Sequence, residues 1–148
     1  KDNVELNDIP KESSMLGKAN LIKEGNDMTI VAYSNMVNVA KEAIAAEELQ
    51  NCSIELIDLQ TVSPIDYDTI KNSLKKTKRL LVCQEAPSNS SVGTTVISKI
   101  VESELFHELE VAPKLVSGLH SPMPSAKHLE LNVIPQAEDI TNAVKSML

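Results

Sequence analysis

The stretch Ser53–Asp66 constrains the fold most, because a strand, a turn and a helix start follow one another directly in it. The apolar residues of 54–59 predict a buried strand. Pro64 cannot donate a hydrogen bond to a neighbouring strand, so the strand must end before it. The Ser-Pro-Ile-Asp run then predicts a helix whose first turns are residues 67–74. The unit is a strand followed by a helix.

Two further stretches repeat this strand-to-helix order. Met28–Tyr33 and Arg79–Gln84 are short and apolar on both faces, as expected of strands inside a parallel sheet. Helical spacing of apolar residues follows each of them, over Met36–Leu49 and Val92–Phe106. Three strand-helix units with right-handed crossovers predict a mostly parallel sheet with helices on both faces.

The remaining segments complete the predicted fold. Residues 16–23 are expected to form a short edge strand, residues 114–117 another strand, and residues 137–148 a closing helix. The polar residues 1–15 are interpreted as a linker or arm. We therefore predict one domain, 16–148, with a three-layer α/β/α sandwich and a mixed, mostly parallel sheet of four to five strands. Because residue 1 is Lys, we expect a piece of a longer chain.

Composition narrows the classes of function. The chain has 148 residues, 42% of them hydrophobic, but only two Tyr and one Phe, so the core must be aliphatic. Met36, Met123 and Met147 are expected to fill it. The net charge of −7 argues against nucleic acid and against an anionic membrane surface, and no apolar run reaches transmembrane length. The acidic balance leaves a basic protein partner open, although a solvated surface is the usual reason for such a balance and is the interpretation we favour.

Motifs for a self-contained active site are missing from the sequence. The four glycines are too scattered for a phosphate-binding loop, and no nucleophile elbow follows a strand. Cys52 and Cys83 lack the spacing of a metal or redox pair, which indicates a reducing compartment. His107, His120 and His128 share no helix face at metal-ligand spacing. The sequence therefore predicts neither a metal centre nor a nucleophile.

Two carboxylates remain as candidates for acid–base chemistry. Asp58 and Glu85 both fall at carboxyl ends of predicted strands, so they could converge on one edge of the sheet. The simpler interpretation, which we favour, is that each caps a helix or pairs with a nearby Lys.

Four runs in order carry a family resemblance. They are Leu-Gly-Lys-Ala (16–19), Glu-Gly-Asn-Asp-Met-Thr-Ile-Val-Ala-Tyr-Ser (24–34), Ile-Asp-Leu-Gln-Thr-Val-Ser-Pro-Ile-Asp (57–66) and Lys-Lys-Thr-Lys-Arg-Leu-Leu-Val (75–82). The chain resembles the C-terminal domain of 2-oxoacid dehydrogenase beta subunits, within the transketolase C-terminal family. The resemblance extends from Leu16 to Leu148.

The segment 121–140 bears on the substrate of the parent enzyme. Its Ser-Pro-Met-Pro-Ser-Ala-Lys-His-Leu-Glu run looks most like the corresponding ending in beta subunits that act on pyruvate. Branched-chain 2-oxoacids are the second choice. Transketolase and deoxyxylulose-phosphate synthase carry a similar domain and remain alternatives, as does a free-standing protein-interaction module.

The resemblance implies that catalysis lies outside this domain. In the family, thiamine diphosphate and Mg are held by an alpha subunit and the N-terminal part of the beta chain. The domain contributes contacts to an alpha subunit and a second beta subunit in a heterotetramer, and to the basic subunit-binding domain of a dihydrolipoyl acyltransferase. The compartment would be the cytoplasm in a bacterium, and the mitochondrial matrix or plastid in a eukaryote.

The resemblance also assigns candidate contact residues. The residues expected at the interface between subunits are Asp58, Gln60, Glu85 and Gly93. The residues expected to contact the acyltransferase are Glu110 and the carboxylate of Leu148.

Several positions depart from the family pattern. Gln60 stands where Arg is usual, Ala86 where Gly is usual, Val111 where an acidic residue is usual, and Ser125 where Tyr is usual. Residues 114–117 also lack the family's arginine. Because Arg donates in a planar, bidentate fashion, its loss is not conservative, and these changes bear on substrate and partner contacts.

Overall fold

A computed structural model describes residues 15–148, so the predicted arm falls outside the described residues except for Met15. The strands are β1 (Asn20–Lys23), β2 (Met28–Ala32), β3 (Ile54–Asp58), β4 (Leu80–Pro87) and β5 (Lys114–Gly118). The helices are α1 (Met36–Ala45), α2 (Tyr67–Thr77), α3 (Val92–Val101), α4 (Lys127–Glu130) and α5 (Ala137–Lys145). Short 3-10 helices cover Glu47–Leu49 and Glu104–Glu108.

The five strands form one mixed sheet in the order β1-β3-β2-β4-β5. The pairs β2–β3, β2–β4 and β4–β5 are parallel, and β1 pairs with β3 in antiparallel orientation. Every residue of the central strand β2 is buried, whereas β1 at the edge is mostly exposed. The predicted α/β class, the mixed sheet and the number of strands are confirmed.

Successive side chains of each strand point to opposite faces of the sheet, so the core has two layers. Met28, Ile30 and Ala32 of β2 face one side of the sheet, together with α1 and α5. Val31 faces the other side, together with α2 and α3. Because both faces are covered by helices, all three layers of the predicted sandwich are present.

The Ser53–Asp66 unit folds as its sequence predicts. Asp66 is the N-cap of α2, and its carboxylate accepts hydrogen bonds from the backbone N–H and the hydroxyl of Thr69 (3.2 and 2.8 Å). The same carboxylate accepts the N–H of Ala19 (3.1 Å), and the Thr61 hydroxyl accepts the N–H of Gly17 (3.1 Å). The segment leading into β1 is thereby fastened to the start of α2.

Several predicted boundaries were wrong. The helix predicted to reach Phe106 ends at Val101, because the Ser103 side chain bonds the Ile100 carbonyl (2.7 Å) and the chain turns there. The predicted helix 36–49 ends at Ala45 and continues as a 3-10 turn, and the edge strand begins only at Asn20.

Two further elements differ from the sequence prediction. The strand predicted over 79–84 continues to Pro87, because β4 bulges and rejoins β5 there. The short helix α4 was not predicted.

Candidate functional site

The parallel strands end at one edge of the sheet, called here the carboxyl edge, where ligand and partner contacts gather in open α/β sheets. Asp58 is the last residue of β3, and its carboxylate accepts the backbone N–H of Gln60 (3.0 Å). Glu85 lies near the end of β4. Because β2 runs between β3 and β4, two strand spacings, roughly 9–10 Å, separate the backbones of these strands. Whether the two carboxylates act as an acid–base pair stays a prediction.

Three of the four non-glycine residues with positive φ in the described part of the chain lie at the carboxyl edge, and the fourth, Lys78, ends α2 before β4. Ser34, Gln60 and Ser90 have positive φ values of 56°, 52° and 49°, and they follow β2, β3 and β4 respectively. This left-handed region costs a non-glycine residue free energy, and such residues cluster at functional positions. Asn35 is the N-cap residue of α1, but its side chain makes no capping hydrogen bond.

The loop after β5 exposes apolar side chains at the same edge. Residues 119–133, called here the 119–133 excursion, leave the sheet at β5 and return where the Leu119 N–H donates to the Val133 carbonyl (3.0 Å). Leu119 is 59% exposed and Met123 55% exposed, so Met123 is not in the core, unlike Met36 and Met147. The other exposed large apolar residues here are Leu129 and Leu131, with Val62 in the loop after β3. The carboxyl edge therefore exposes several large apolar side chains.

Gly93 lies inside the domain at the start of α3. A Cβ there would lie 2.5 Å from Leu115 Cδ1 and 2.6 Å from Gln84 Oε1, so only glycine fits without movement. Its N–H donates to Gln84 Oε1 (2.7 Å). Burial raises the pKa of the neighbouring Tyr33, and the charge of Glu85 raises it further. The structure thus gives Gly93 a packing role, and its place at an interface stays a prediction.

The two residues assigned to the acyltransferase lie at the opposite, amino edge of the sheet. The Glu110 N–H donates to the Lys78 carbonyl (3.0 Å) just before β4 begins. Lys114 Nζ, at the start of β5, donates to Ser146 Oγ near the end of α5 (2.7 Å). These contacts bring the Glu110 segment and the Leu148 end to one side of the domain.

Glu110 already has a partner within the domain. Its carboxylate lies 2.6 Å from an Arg79 guanidinium nitrogen, while the other terminal nitrogen of Arg79 donates to the Asp27 carbonyl (3.1 Å). Glu110 is exposed, so a cation from another protein could still approach it. Such a cation would share the carboxylate with Arg79.

Within residues 15–148, no three His, Cys, Asp or Glu side chains come together as a metal site. Burial raises the pKa of the Cys83 thiol, so the thiolate needed for nucleophilic attack is disfavoured. In the same range, no helix is long and apolar enough to cross a membrane.

One buried acid, Glu55, has its pKa lowered in the fold. Burial on its own would raise this pKa, but hydrogen bonds from Lys76, Ser73 and Gly25 outweigh it. Lys76 Nζ lies 2.5 Å from the carboxylate, and the Gly25 N–H donates to it at 3.1 Å. The ionised form of Glu55 therefore stabilises the fold.

We predict that Glu55→Gln removes part of the acid sensitivity of the fold. Because the folded-state pKa lies below the ordinary 4.5, Glu55 stabilises above that pH, and this contribution is lost as the pH falls through the lowered value. At pH 7 the unfolding free energy of the variant should be about 1 to 2 kcal/mol lower than that of the wild type. Below about pH 4.5, the unfolding free energy of the variant should fall less steeply with pH than that of the wild type. Urea unfolding from pH 7 to pH 3 measures both.

The matched control for this prediction is Glu102→Gln, which breaks the exposed Lys99–Glu102 pair. Solvent screens that pair, so its removal should change stability little at any pH. Equal pH profiles for the two variants would contradict a stabilising role for the buried pair.

The described residues form a three-layer α/β domain, and among them no three His, Cys, Asp or Glu side chains come together as a metal site. The family described as "Transketolase, C-terminal domain" matches residues 17–140. The chain belongs to this transketolase C-terminal domain family.

Curated relatives are named as beta subunits of pyruvate dehydrogenase. The chain is 41% identical over 131 residues to "Pyruvate dehydrogenase E1 component subunit beta" of Rickettsia bellii, covering 88% of this chain and 40% of the relative. It is 38% identical over 130 residues to the mitochondrial subunit beta of Pisum sativum, covering 88% and 36%. The chain thus spans about two-fifths of the length of these relatives.

A solved structure has the same fold. The protein titled "Split gene transketolase, inactive beta4 tetramer" superposes with a TM-score of 0.77 at 25% identity, over 94% of this chain and 45% of that one. The fold expected from the sequence resemblance is confirmed.

Proposed function

We propose that this chain is the C-terminal assembly domain of the beta subunit of a pyruvate dehydrogenase that depends on thiamine diphosphate. The whole enzyme would oxidatively decarboxylate pyruvate and transfer the acyl group to the lipoyl group of an acyltransferase. The proposal is supported by relatives of that name. The observation that carries the assembly role is the exposed apolar surface of the carboxyl edge.

The cofactor is proposed to bind outside this domain. Thiamine diphosphate supplies the electron sink for decarboxylation, and Mg accompanies its diphosphate. Among the described residues, the buried carboxylates Glu55 and Asp66 already accept hydrogen bonds from groups of this domain.

The carboxyl edge is proposed as the contact with an alpha subunit and a second beta subunit. Asp58, Gln60 and Glu85 lie along this edge, and the 119–133 excursion adds apolar area to it. Apolar area of this kind is typical of the buried centre of interfaces between subunits. The structural neighbour is itself described as a tetramer.

The amino edge is proposed as the contact with the basic subunit-binding domain of the acyltransferase. Glu110 and the Leu148 carboxylate would attract its cations, and the net charge of −7 favours that encounter. The Arg79–Glu110 pair means that Glu110 contributes less to this attraction than an unpaired carboxylate would.

Residues 1–15 are proposed as an arm and 16–148 as the domain.

A second candidate is the same domain in an enzyme that transfers ketol groups. The structural similarity to the split-gene transketolase favours this candidate. The sequence identity to that protein is 25%, however, whereas the identity to the Rickettsia relative is 41%. The proposed compartment is the cytoplasm in a bacterium and the mitochondrial matrix or plastid in a eukaryote, and the Pisum sativum relative is named as mitochondrial.

We predict that the 148-residue chain alone binds no thiamine diphosphate. Isothermal titration calorimetry with thiamine diphosphate and magnesium should show no heat of binding to this chain. The natural-length chain assembled with its alpha partner should bind the cofactor under the same conditions, which is the control. Saturable binding by the 148-residue chain would overturn the proposed division of labour.

A further inference from the structure

The amide of Gln84 is the most heavily bonded buried side chain at the carboxyl edge. Gln84 is 0% exposed. Its Oε1 accepts the Gly93 N–H (2.7 Å) and the Tyr33 hydroxyl (3.4 Å). Its Nε2 donates to the Ala86 carbonyl (2.9 Å) and the Pro87 carbonyl (3.1 Å). One side chain thus joins the exit of β2, the end of β4 and the start of α3.

These bonds compensate for a break in the sheet. Cys83 pairs with Val116 and Pro87 with Gly118, so three residues of β4 face a single residue of β5 between these pairs. A bulge of this kind leaves backbone groups without ladder partners. The Gln84 amide supplies a donor for two carbonyls at the bulge and so fixes its shape.

The next residues form the loop between Glu85 and Gly93, two of the residues that the family resemblance places at an interface between subunits. The Ser91 hydroxyl donates to the Ser88 carbonyl (3.1 Å), and Ser91 caps α3 through Thr94. The loop is therefore held at its far end by Ser91 and at its near end by Gln84. Ser90, with its positive φ, lies between the two.

We infer that Gln84 is a positioning residue, which holds the Glu85–Gly93 loop in the shape that it presents to a neighbouring subunit. The inference rests on the proposed function, because it requires this edge to be an interface. Its chemistry is specific to an amide: Oε1 must accept while Nε2 donates, so neither Glu nor Met reproduces all the bonds.

Gln84→Met tests the inference because it keeps the length of the side chain and removes every hydrogen bond. In the variant, amide hydrogen exchange of Gly93 and of the loop should rise at least tenfold. Association of the natural-length chain with its alpha subunit should weaken at least tenfold, as measured by analytical ultracentrifugation. Unchanged exchange or unchanged association would overturn the inference.

A matched control separates positioning from general stability. Thr29→Val removes a buried hydroxyl that bonds Ser73 and Thr77 at the other end of the central strand. It should lower the unfolding midpoint without changing the exchange of the loop or the association. If both variants weaken association equally, Gln84 is only a structural residue and the inference is wrong.

A loop variant separates this inference from the proposed function. Ser88 and Asn89 are exposed on the loop, so Asn89→Arg places bulk and charge at the proposed contact. If Asn89→Arg leaves association unchanged, the loop is not at an interface and the proposed function fails there. If it weakens association while Gln84→Met does not, only the role of Gln84 is wrong.

Gln84→Glu keeps the inference testable if Gln84→Met does not fold. The carboxylate form accepts from Gly93 but cannot donate to Ala86 and Pro87, whereas the protonated form donates to one of them. Because the position is fully buried, burial should raise the pKa of the introduced carboxyl, so association of this variant should be at least threefold stronger at pH 6 than at pH 8, relative to wild type. A pH-independent ratio would contradict the positioning role.

Discussion

Leu119→Asp combined with Met123→Asp is expected to weaken association of the natural-length chain with its partner subunits at least about 100-fold. Both side chains are more than half exposed on the 119–133 excursion. Burying each one in an interface would contribute about 1.5 to 3 kcal/mol, and tenfold in affinity corresponds to about 1.4 kcal/mol. Two buried, unpaired carboxylates would add a desolvation cost to this loss.

The matched control for the excursion is Val101→Asp combined with Phe106→Asp. Both residues are exposed apolar side chains, and they lie at the end of α3 and beyond it, away from the carboxyl edge. Sedimentation velocity on both double variants compares the two surfaces directly. If the control pair dissociates the assembly and the Leu119 and Met123 pair does not, the interface has been placed on the wrong edge.

Gly25→Ala is expected to lower the unfolding free energy of the domain by at least about 3 kcal/mol. A Cβ at this position would lie 2.2 Å from the Ile54 carbonyl carbon and from the Glu55 backbone nitrogen. Both atoms belong to the backbone of β3, so relief requires β2 or β3 to move. Movement would also disturb the bond from the Gly25 N–H to the buried Glu55 carboxylate.

Asn26→Ala provides the comparison at the adjacent, exposed position, where the change should stay within about 0.5 kcal/mol. Urea unfolding at pH 7 measures both variants. A loss of less than about 1 kcal/mol for Gly25→Ala would mean that the turn before β2 adapts, contrary to the close packing seen here.

The layer order of the fold could be predicted because it depends on local patterns. The apolar run of β2 and the Ser-Pro-Ile-Asp start of α2 each specify one element without help from the rest of the chain. Parallel strands joined by helices have one preferred handedness, so the sandwich follows from those elements. The placement of Asp58 at a strand end could be predicted for the same reason.

The features that were missed depend on contacts between distant residues. The bulge in β4 follows from pairing with β5, and the bonds of Gln84 reach from Tyr33 to Gly93. Met123 resembles a core residue by type, and only the excursion's path shows that it is exposed. The ion pair between Arg79 and Glu110 could not be predicted from the sequence either, because these residues lie on segments that the sheet brings together.

The most direct test of the central claim is a substrate assay of the natural-length chain, co-expressed with its alpha partner and supplied with thiamine diphosphate and magnesium. Turnover is followed with an artificial electron acceptor for 2-oxoacids and with sugar phosphates for ketol transfer. A beta subunit of pyruvate dehydrogenase should support oxidative decarboxylation of pyruvate and no ketol transfer. Ketol transfer without turnover of any 2-oxoacid would contradict the account and place this domain in the transketolase branch.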